Sequence, residues 1–159
     1  MNNTENYIAI MIESLNKKIQ VLDRIIELNA IQNRLLNEEK LDLDKFKENV
    51  DAKSVYVDEL TKLDNGFSAL YDRVKEILST RRAAFTTEIA TMKRQIALIT
   101  EKSVKIQTDE LRNKTLADRH FGNLKQKVTQ AKKGRGVAAN YYKSMNQIDY
   151  EPQFLDQKN

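Results

Sequence analysis

The fold of this chain is decided by the stretch from Phe85 to Ala131, FTTEIATMKRQIALITEKSVKIQTDELRNKTLADRHFGNLKQKVTQA. Its side chains recur at alternating spacings of four and three residues, which places them on one face of a helix. These positions are Phe85, Ile89, Met92, Ile96, Ile99, Ser103, Ile106, Glu110, Asn113, Ala117, His120, Leu124, Lys127 and Ala131. The pattern predicts a third helix at about 81–133. Its early part is apolar and should pack well, whereas its later, polar part should pack poorly.

Two more long helices are predicted upstream, at about 4–39 and 44–79, with Thr4 and Asp44 as their N-caps. The first has an apolar stripe at Ile8, Ile12, Leu15, Ile19, Leu22 and Ile26. The second has one at Phe46, Val50, Val57, Leu60, Phe67, Leu70, Val74 and Ile77. The turn signal Asn65-Gly66 lies inside the second stripe, and the stripe continues in phase, which favours a kink over a reversal.

These patterns predict an all-α fold, an elongated, coiled-coil-like antiparallel bundle of three long helices with a separable C-terminal helix or tail. The third helix is the longest, so its final turns should project beyond the other two. The predicted organisation is a helical bundle at residues 1–133, followed by a hinge and tail at residues 134–159.

The composition of the chain argues against membrane-spanning, secreted, enzymatic and metal-binding proteins. The chain has 159 residues, a net charge of +4, 31% charged residues and no cysteine. It has no apolar stretch long enough to span a membrane and no signal-peptide pattern, which favours a cytoplasmic protein. A single histidine, His120, and the lack of cysteine leave few arrangements for catalysis or metal binding, so we predict a protein without enzymatic activity, cofactor or metal.

The C-terminal tail combines a hinge with aromatic residues. Gly134 and Gly136 end the helical pattern and are interpreted as a helix C-cap and hinge. Beyond them, Val137, Tyr141, Tyr142 and Met145 share one face if residues 137–147 are helical. This segment either lies in a partner's groove as an induced helix or folds back to complete the bundle core.

The basic residues near the end of the third helix have two interpretations. From Arg112 to Arg135 there are eight basic residues and one acidic residue. They include Lys125, Lys127, Lys132 and Lys133, which could contact phosphates while the tyrosines stack on bases. Cations near a helix C-terminus are also favoured by the helix dipole, and this second interpretation is the stronger.

The segment Gln107-Thr108-Asp109-Glu110-Leu111-Arg112-Asn113-Lys114-Thr115-Leu116 resembles the asparagine-rich stretch of FlgN-type flagellar export chaperones. The ending Ala138-Ala139-Asn140-Tyr141-Tyr142 is similar to the tyrosine-containing C-terminal segment of that family. The resemblance covers roughly residues 7 to 145.

The resemblance implies a cytoplasmic type III export chaperone with two kinds of partner. One is the C-terminal helical segments of hook-associated (hook-filament junction) proteins, which the chaperone keeps from premature assembly. The other is a component of the export gate. The residues expected to bind the partner are Asn113, Leu116, Leu124, Val128, Val137, Tyr141, Tyr142 and Met145.

Two other function classes fit the sequence. One is a structural coiled-coil protein that self-associates through the same stripe, for example as a homodimer. The other is a nucleic-acid-binding helical protein that uses the basic end of the third helix.

Overall fold

A computed structural model of the chain describes residues 3–131, apart from the side chains of residues 124, 125 and 127–131. Three long α-helices make up most of this range, α1 (Asn3–Asn37), α2 (Leu43–Thr80) and α3 (Thr86–Ala131), and a short 3₁₀ helix (Arg82–Phe85) precedes α3. No strand occurs within the described range. The predicted all-α fold with three long helices is confirmed.

The helix ends that lie inside the described range differ from the prediction by one to five residues. The largest difference is at α3, because residues 82–85 form the 3₁₀ helix and α3 begins only at Thr86. At the other end of the chain, α1 already includes Thr4, which is buried within the helix and is not its N-cap as predicted.

The N-cap of α2 is Asp42, and the prediction of Asp44 is wrong. The Oδ1 atom of Asp42 accepts a hydrogen bond from the backbone N–H of Lys45 at 3.1 Å. Its backbone carbonyl accepts another from the N–H of Phe46 at 3.0 Å. A side chain that accepts a hydrogen bond from the N–H three residues later satisfies one of the unpaired donors of the first helical turn.

The Asn65-Gly66 turn signal does not reverse the chain, because α2 continues through it as one helix. A side-chain carbon added at Gly66 would have no heavy atom within 4 Å, so no close packing requires a glycine here. Burial of the next residue, Phe67, keeps the segment in phase with the helical core.

The α3 face predicted from spacing is the face that is buried. Eight of its positions are buried, namely Phe85, Met92, Ile99, Ser103, Ile106, Glu110, Asn113 and Ala117. In α1 the buried seam lies to one side of the predicted stripe, at Ile8, Met11, Leu15, Lys18, Leu22, Ile25, Asn29, Gln32 and Leu36. The predicted Ile12, Ile19 and Ile26 flank this seam and are half-buried, because polar residues occupy three true seam positions.

The helices pack as two compact units, and each helix contributes to both. Within the described range, unit 1 comprises residues 3–23 and 58–104, and unit 2 comprises residues 24–57 and 105–131. In unit 1, Tyr7 contacts Arg73 and Lys18 contacts Asp64, so α1 and α2 run antiparallel there. In unit 2, the contacts of Arg24 with Tyr56 and of Gln32 with Asn49 give the same direction.

Candidate partner-binding site

The predicted partner-binding residues fall into two groups. Asn113 and Leu116 belong to the described part of α3, where their surroundings can be examined. The others lie outside the described residues, or have side chains that are not described, namely Leu124, Val128, Val137, Tyr141, Tyr142 and Met145, together with the hinge residues Gly134 and Gly136.

Asn113 lies at the centre of unit 2 and is fully buried, with 0% of its surface exposed. Its Nδ2 atom donates to the backbone carbonyl of Asn29 at 3.0 Å and to Oε1 of Gln32 at 3.1 Å. Its Oδ1 atom accepts from Nδ2 of Asn33 at 3.2 Å. The amide is therefore engaged with α1 of its own chain, and in this conformation its side chain is not accessible to a partner.

The hydrogen bonds of Asn113 belong to a network that joins all three helices of unit 2. Nε2 of Gln32 donates to Oδ1 of Asn49 in α2 at 2.9 Å. Nδ2 of Asn49 in turn donates to the carbonyl of Leu28 at 2.8 Å. Buried amides that bond to one another avoid the cost of unpaired polar groups and are satisfied in only one register of the helices.

A buried ion pair extends this network to α2 and α3. Nζ of Lys53 lies 2.6 Å from Oε1 of Glu110, and 0% of the lysine side chain and 10% of the glutamate side chain are exposed. The same Nζ donates to Oε1 of Gln32 at 3.4 Å. Burial lowers the pKa of Lys53 below its ordinary value of 10.5, because it outweighs the opposing effects of the Glu110 charge and hydrogen bond.

Leu116 lies at the edge of an apolar cluster formed by Leu36, Phe46, Val50, Ala117 and Phe121. The rings of Phe46 and Phe121 meet edge to face, with centroids 5.6 Å apart and planes at 75°. Leu116 is partly buried against this cluster, so it offers a partner only part of its surface.

The expectation that the later part of α3 packs poorly is wrong as far as Phe121. Polar seam positions looked unfavourable in the sequence, but Glu110 and Asn113 are paired with Lys53 and Gln32 on the neighbouring helices. Apolar packing then resumes at Ala117 and Phe121.

His120 marks the level at which α3 passes the C-terminal end of α1. Its Nε2 atom lies 2.7 Å from the backbone carbonyl of Leu36, in the last turn of α1. A carbonyl only accepts, so Nε2 donates and satisfies one of the carbonyls left unpaired at a helix C-terminus. From Gly122 to Ala131, α3 continues for ten further residues, about 15 Å at the rise of an α-helix.

Buried lysines were not predicted from the sequence. Lys53 stands in phase with Phe46, Val50 and Leu60 on the α2 stripe, and in unit 1 Lys18 occupies a seam position of α1. Lys18 pairs with Asp64 of α2, and both side chains are almost fully buried. The available signal was a lysine on an apolar stripe with an oppositely charged residue on the stripe of another helix.

Comparisons with models of protein families, with curated proteins and with solved structures found no match for this chain. Among the described residues, no helix combines the length and apolar character that crossing a membrane requires.

Proposed function

We propose that this chain is a type III flagellar export chaperone that binds the C-terminal helical segments of hook-associated proteins in the cytoplasm and prevents their premature assembly. The binding surface would consist of the final turns of α3 together with the tail that follows them. The proposal combines the sequence resemblance to FlgN-type chaperones with the local architecture of unit 2.

The observation that carries the proposal is the continuation of α3 past the end of α1. The contact of His120 with Leu36 marks the end of the α1 helix, and α3 continues for ten more residues. This segment includes the sequence positions Leu124 and Val128, which stand four residues apart as required for one helix face. A helix that extends beyond its neighbours is a suitable surface for an amphipathic helix from a partner.

The buried network gives Asn113 a supporting role in this mechanism. Its hydrogen bonds hold α3 against α1, so that the segment from Gly122 to Ala131 continues from a fixed base. A rigid base reduces the conformational entropy that is lost on binding. Asn113 is thus proposed to position the site, while Tyr141 and Tyr142 provide the aromatic anchors that commonly dominate interfaces.

The test is a paired substitution, Tyr141→Ala with Tyr142→Ala. We expect it to abolish capture of a purified hook-associated protein in a pull-down, because the apolar contact surface is lost, while circular dichroism shows unchanged helical content. A second variant, Phe46→Tyr, changes the buried core of unit 2 and leaves the tail intact. It shows how damage to this core alone affects capture and helical content. Full capture by the tyrosine double variant would contradict the assignment of the tail.

Two measurements test the two other function classes. A self-associating coiled-coil protein that packs its tail between subunits would lose mass in light scattering when both tyrosines are replaced. A nucleic-acid binder would bind an oligonucleotide tightly at low salt and lose affinity steeply as salt is added. The chaperone hypothesis predicts neither result.

A further inference from the structure

Unit 1 has a groove of about 400 Å³ between α2 and α3, and none of its lining residues belongs to the partner-binding site proposed above. The wall formed by α2 includes Phe67, Tyr71, Lys75 and Leu78, whose spacings of four, four and three residues place them on one helix face. Met11 of α1 also lines this groove and is fully buried. We call this feature the unit 1 groove.

The wall formed by α3 has the same helical periodicity. It includes Ile89, Met92, Lys93 and Ile96, at positions i, i+3, i+4 and i+7 of one face. The unit 1 groove is therefore bounded by parallel rows of apolar side chains from two helices. Such rows accept the ridge of side chains of a third helix.

The described residues cover the apolar surface of the groove only in part. Tyr71 is 43% exposed, although its seam neighbours Phe67 and Val74 are buried. The ring of Tyr71 stacks on that of Phe67, with centroids 6.3 Å apart and planes at 9°. The buried Phe67 thus holds the exposed ring of Tyr71 in place, and an ordered contact surface lowers the entropy cost of binding.

The charges of the groove all have one sign. Its charged lining residues are Lys75, Arg82 and Lys93, and none of the lining residues, all within the described range, is acidic. Lys75 lies 3.5 Å from Asp72, but both side chains are more than half exposed, so this pair is weak. An occupant that complements the groove is apolar in its centre and acidic at its edges.

We infer that the unit 1 groove is a docking site for an amphipathic helix of a partner protein that carries acidic residues beside its apolar stripe. The partner helix would place apolar side chains at i, i+3, i+4 and i+7 between α2 and α3, and its carboxylates would face Lys75, Arg82 and Lys93. This inference is independent of the proposed C-terminal site and of its cargo.

Two occupants from this chain match the groove less well. The segment at residues 137–147, VAANYYKSMNQ, has a lysine and no acidic residue, and the acidic residues after it flank Pro152, which does not fit inside a helix. A second copy docking groove to groove would bring the three cations against their own equivalents, because a two-fold interface pairs the same patch on both subunits. The charge pattern therefore favours a separate partner.

The test uses the full chain and a labelled synthetic helix about four turns long, with leucines at i, i+3, i+4 and i+7 and glutamates beside them. A control peptide has lysines in place of the glutamates. In fluorescence anisotropy we expect saturable binding of the glutamate peptide and a Kd roughly tenfold weaker for the lysine peptide.

Variants assign this binding to the groove. A triple variant reverses the three cations of the groove, with Lys75→Glu, Arg82→Glu and Lys93→Glu. Its affinity for the glutamate peptide should be lower by roughly tenfold or more, and its affinity for the lysine peptide should be higher. A matched triple reversal of exposed lysines outside the groove, Lys40→Glu, Lys45→Glu and Lys62→Glu, should preserve the preference for the glutamate peptide. Tyr71→Ala should weaken the binding of both peptides.

Several results would overturn the inference. Equal affinity for the two peptides would show that the cations of the groove do not select an acidic partner. The same conclusion would follow if the groove triple variant bound the two peptides with the same affinities as its control variant. A dimer in light scattering that Tyr71→Ala dissociates would identify a second copy as the occupant. A tenfold gain in peptide affinity on replacing Phe154 and Leu155 by serine would identify the tail of the same chain.

Discussion

At the scale of single residues, Asn113 shows how a polar side chain in an apolar seam can hold a helix in place. Its amide makes two hydrogen bonds as a donor and one as an acceptor, all to residues of α1. An apolar residue at this position would pack against α1 in more than one register. The amide is satisfied in one register only, which is the use of buried asparagine best established in coiled coils.

We predict that Asn113→Ala lowers the free energy of unfolding by about 1–3 kcal/mol. The substitution removes the donor for the buried Oε1 of Gln32 and leaves the partly buried Nδ2 of Asn33 without its acceptor. Urea unfolding followed by circular dichroism measures the change. The matched control is Asn123→Ala on the same helix, where the side chain is exposed and alanine is the better helix former.

An Asn113→Ala variant as stable as the Asn123→Ala control would show that the network contributes no net stability. Its role would then be limited to register. Register can be measured separately, because a slipped α3 would separate the Phe46 and Phe121 rings that now lie 5.6 Å apart.

At the scale of the helices, buried charges join neighbouring elements in pairs. Lys18 of α1 meets Asp64 of α2 in unit 1, and Lys53 of α2 meets Glu110 of α3 in unit 2. Each pair lies on the apolar stripe of both helices. A charge left alone at such a position is strongly unfavourable, so each pair selects the helix alignment that brings its members together.

We predict that Lys53→Met and Glu110→Leu, made singly, each lower the free energy of unfolding by about 3–5 kcal/mol, because each leaves the opposite charge buried without its partner. The double variant should recover most of this loss, because an apolar pair of similar size fills the same space. A double-mutant cycle in urea unfolding measures the coupling.

The matched control for this cycle is Lys47→Met on α2. Lys47 pairs with Asp51 at 3.3 Å, but both side chains are more than 60% exposed, so its loss should change the free energy of unfolding by less than about 1 kcal/mol. Additive effects of Lys53→Met and Glu110→Leu would contradict the coupling that the structure implies.

The helices could be predicted from the sequence wherever their seam positions follow one unbroken spacing. The α3 face was predicted correctly through Glu110 and Asn113, because the pattern of apolar residues on both sides fixed its phase. The α1 seam was misassigned, because Lys18, Asn29 and Gln32 occupy it while Ile12 and Ile19 lie beside it. Choosing seam positions by apolar residues alone gives the wrong helix face where polar side chains are buried and paired with one another.

The candidate sites were less predictable than the helices. The surroundings of Asn113 depend on Gln32 and Asn33, about 80 positions earlier in the chain, and spacing within one helix carries no information on such partners. The unit 1 groove depends in the same way on which rows of α2 and α3 face each other.

At the scale of the whole molecule, both units share one electrostatic feature. Each contains a buried lysine whose pKa is lowered from 10.5, chiefly because burial disfavours its charged form. Asp64 and Glu110 oppose this effect without cancelling it. The folded chain therefore binds fewer protons than the unfolded chain between the lowered pKa of each lysine and 10.5.

This difference predicts a pH dependence of stability with a definite sign. Stability rises with pH wherever the unfolded state binds more protons, with a slope of at most about 1.4 kcal/mol per pH unit for one group. Below the lowered pKa both states hold the proton, and the folded state bears the full cost of a buried charge. As the pH approaches 10.5, the folded state can release the Lys53 proton and this cost disappears.

The measurement compares the chain with its Lys53→Met/Glu110→Leu variant, which lacks both titrating groups of the unit 2 pair. The difference in free energy of unfolding, wild type minus variant, should increase as the pH is raised toward 10.5, because the folded chain releases the Lys53 proton before the unfolded chain does. All other residues are the same in both proteins, so their contributions cancel in the difference. A difference that stays flat or decreases would mean that Glu110 stabilises the charged form of Lys53 more than burial disfavours it, and that the ion pair rather than desolvation dominates the centre of unit 2.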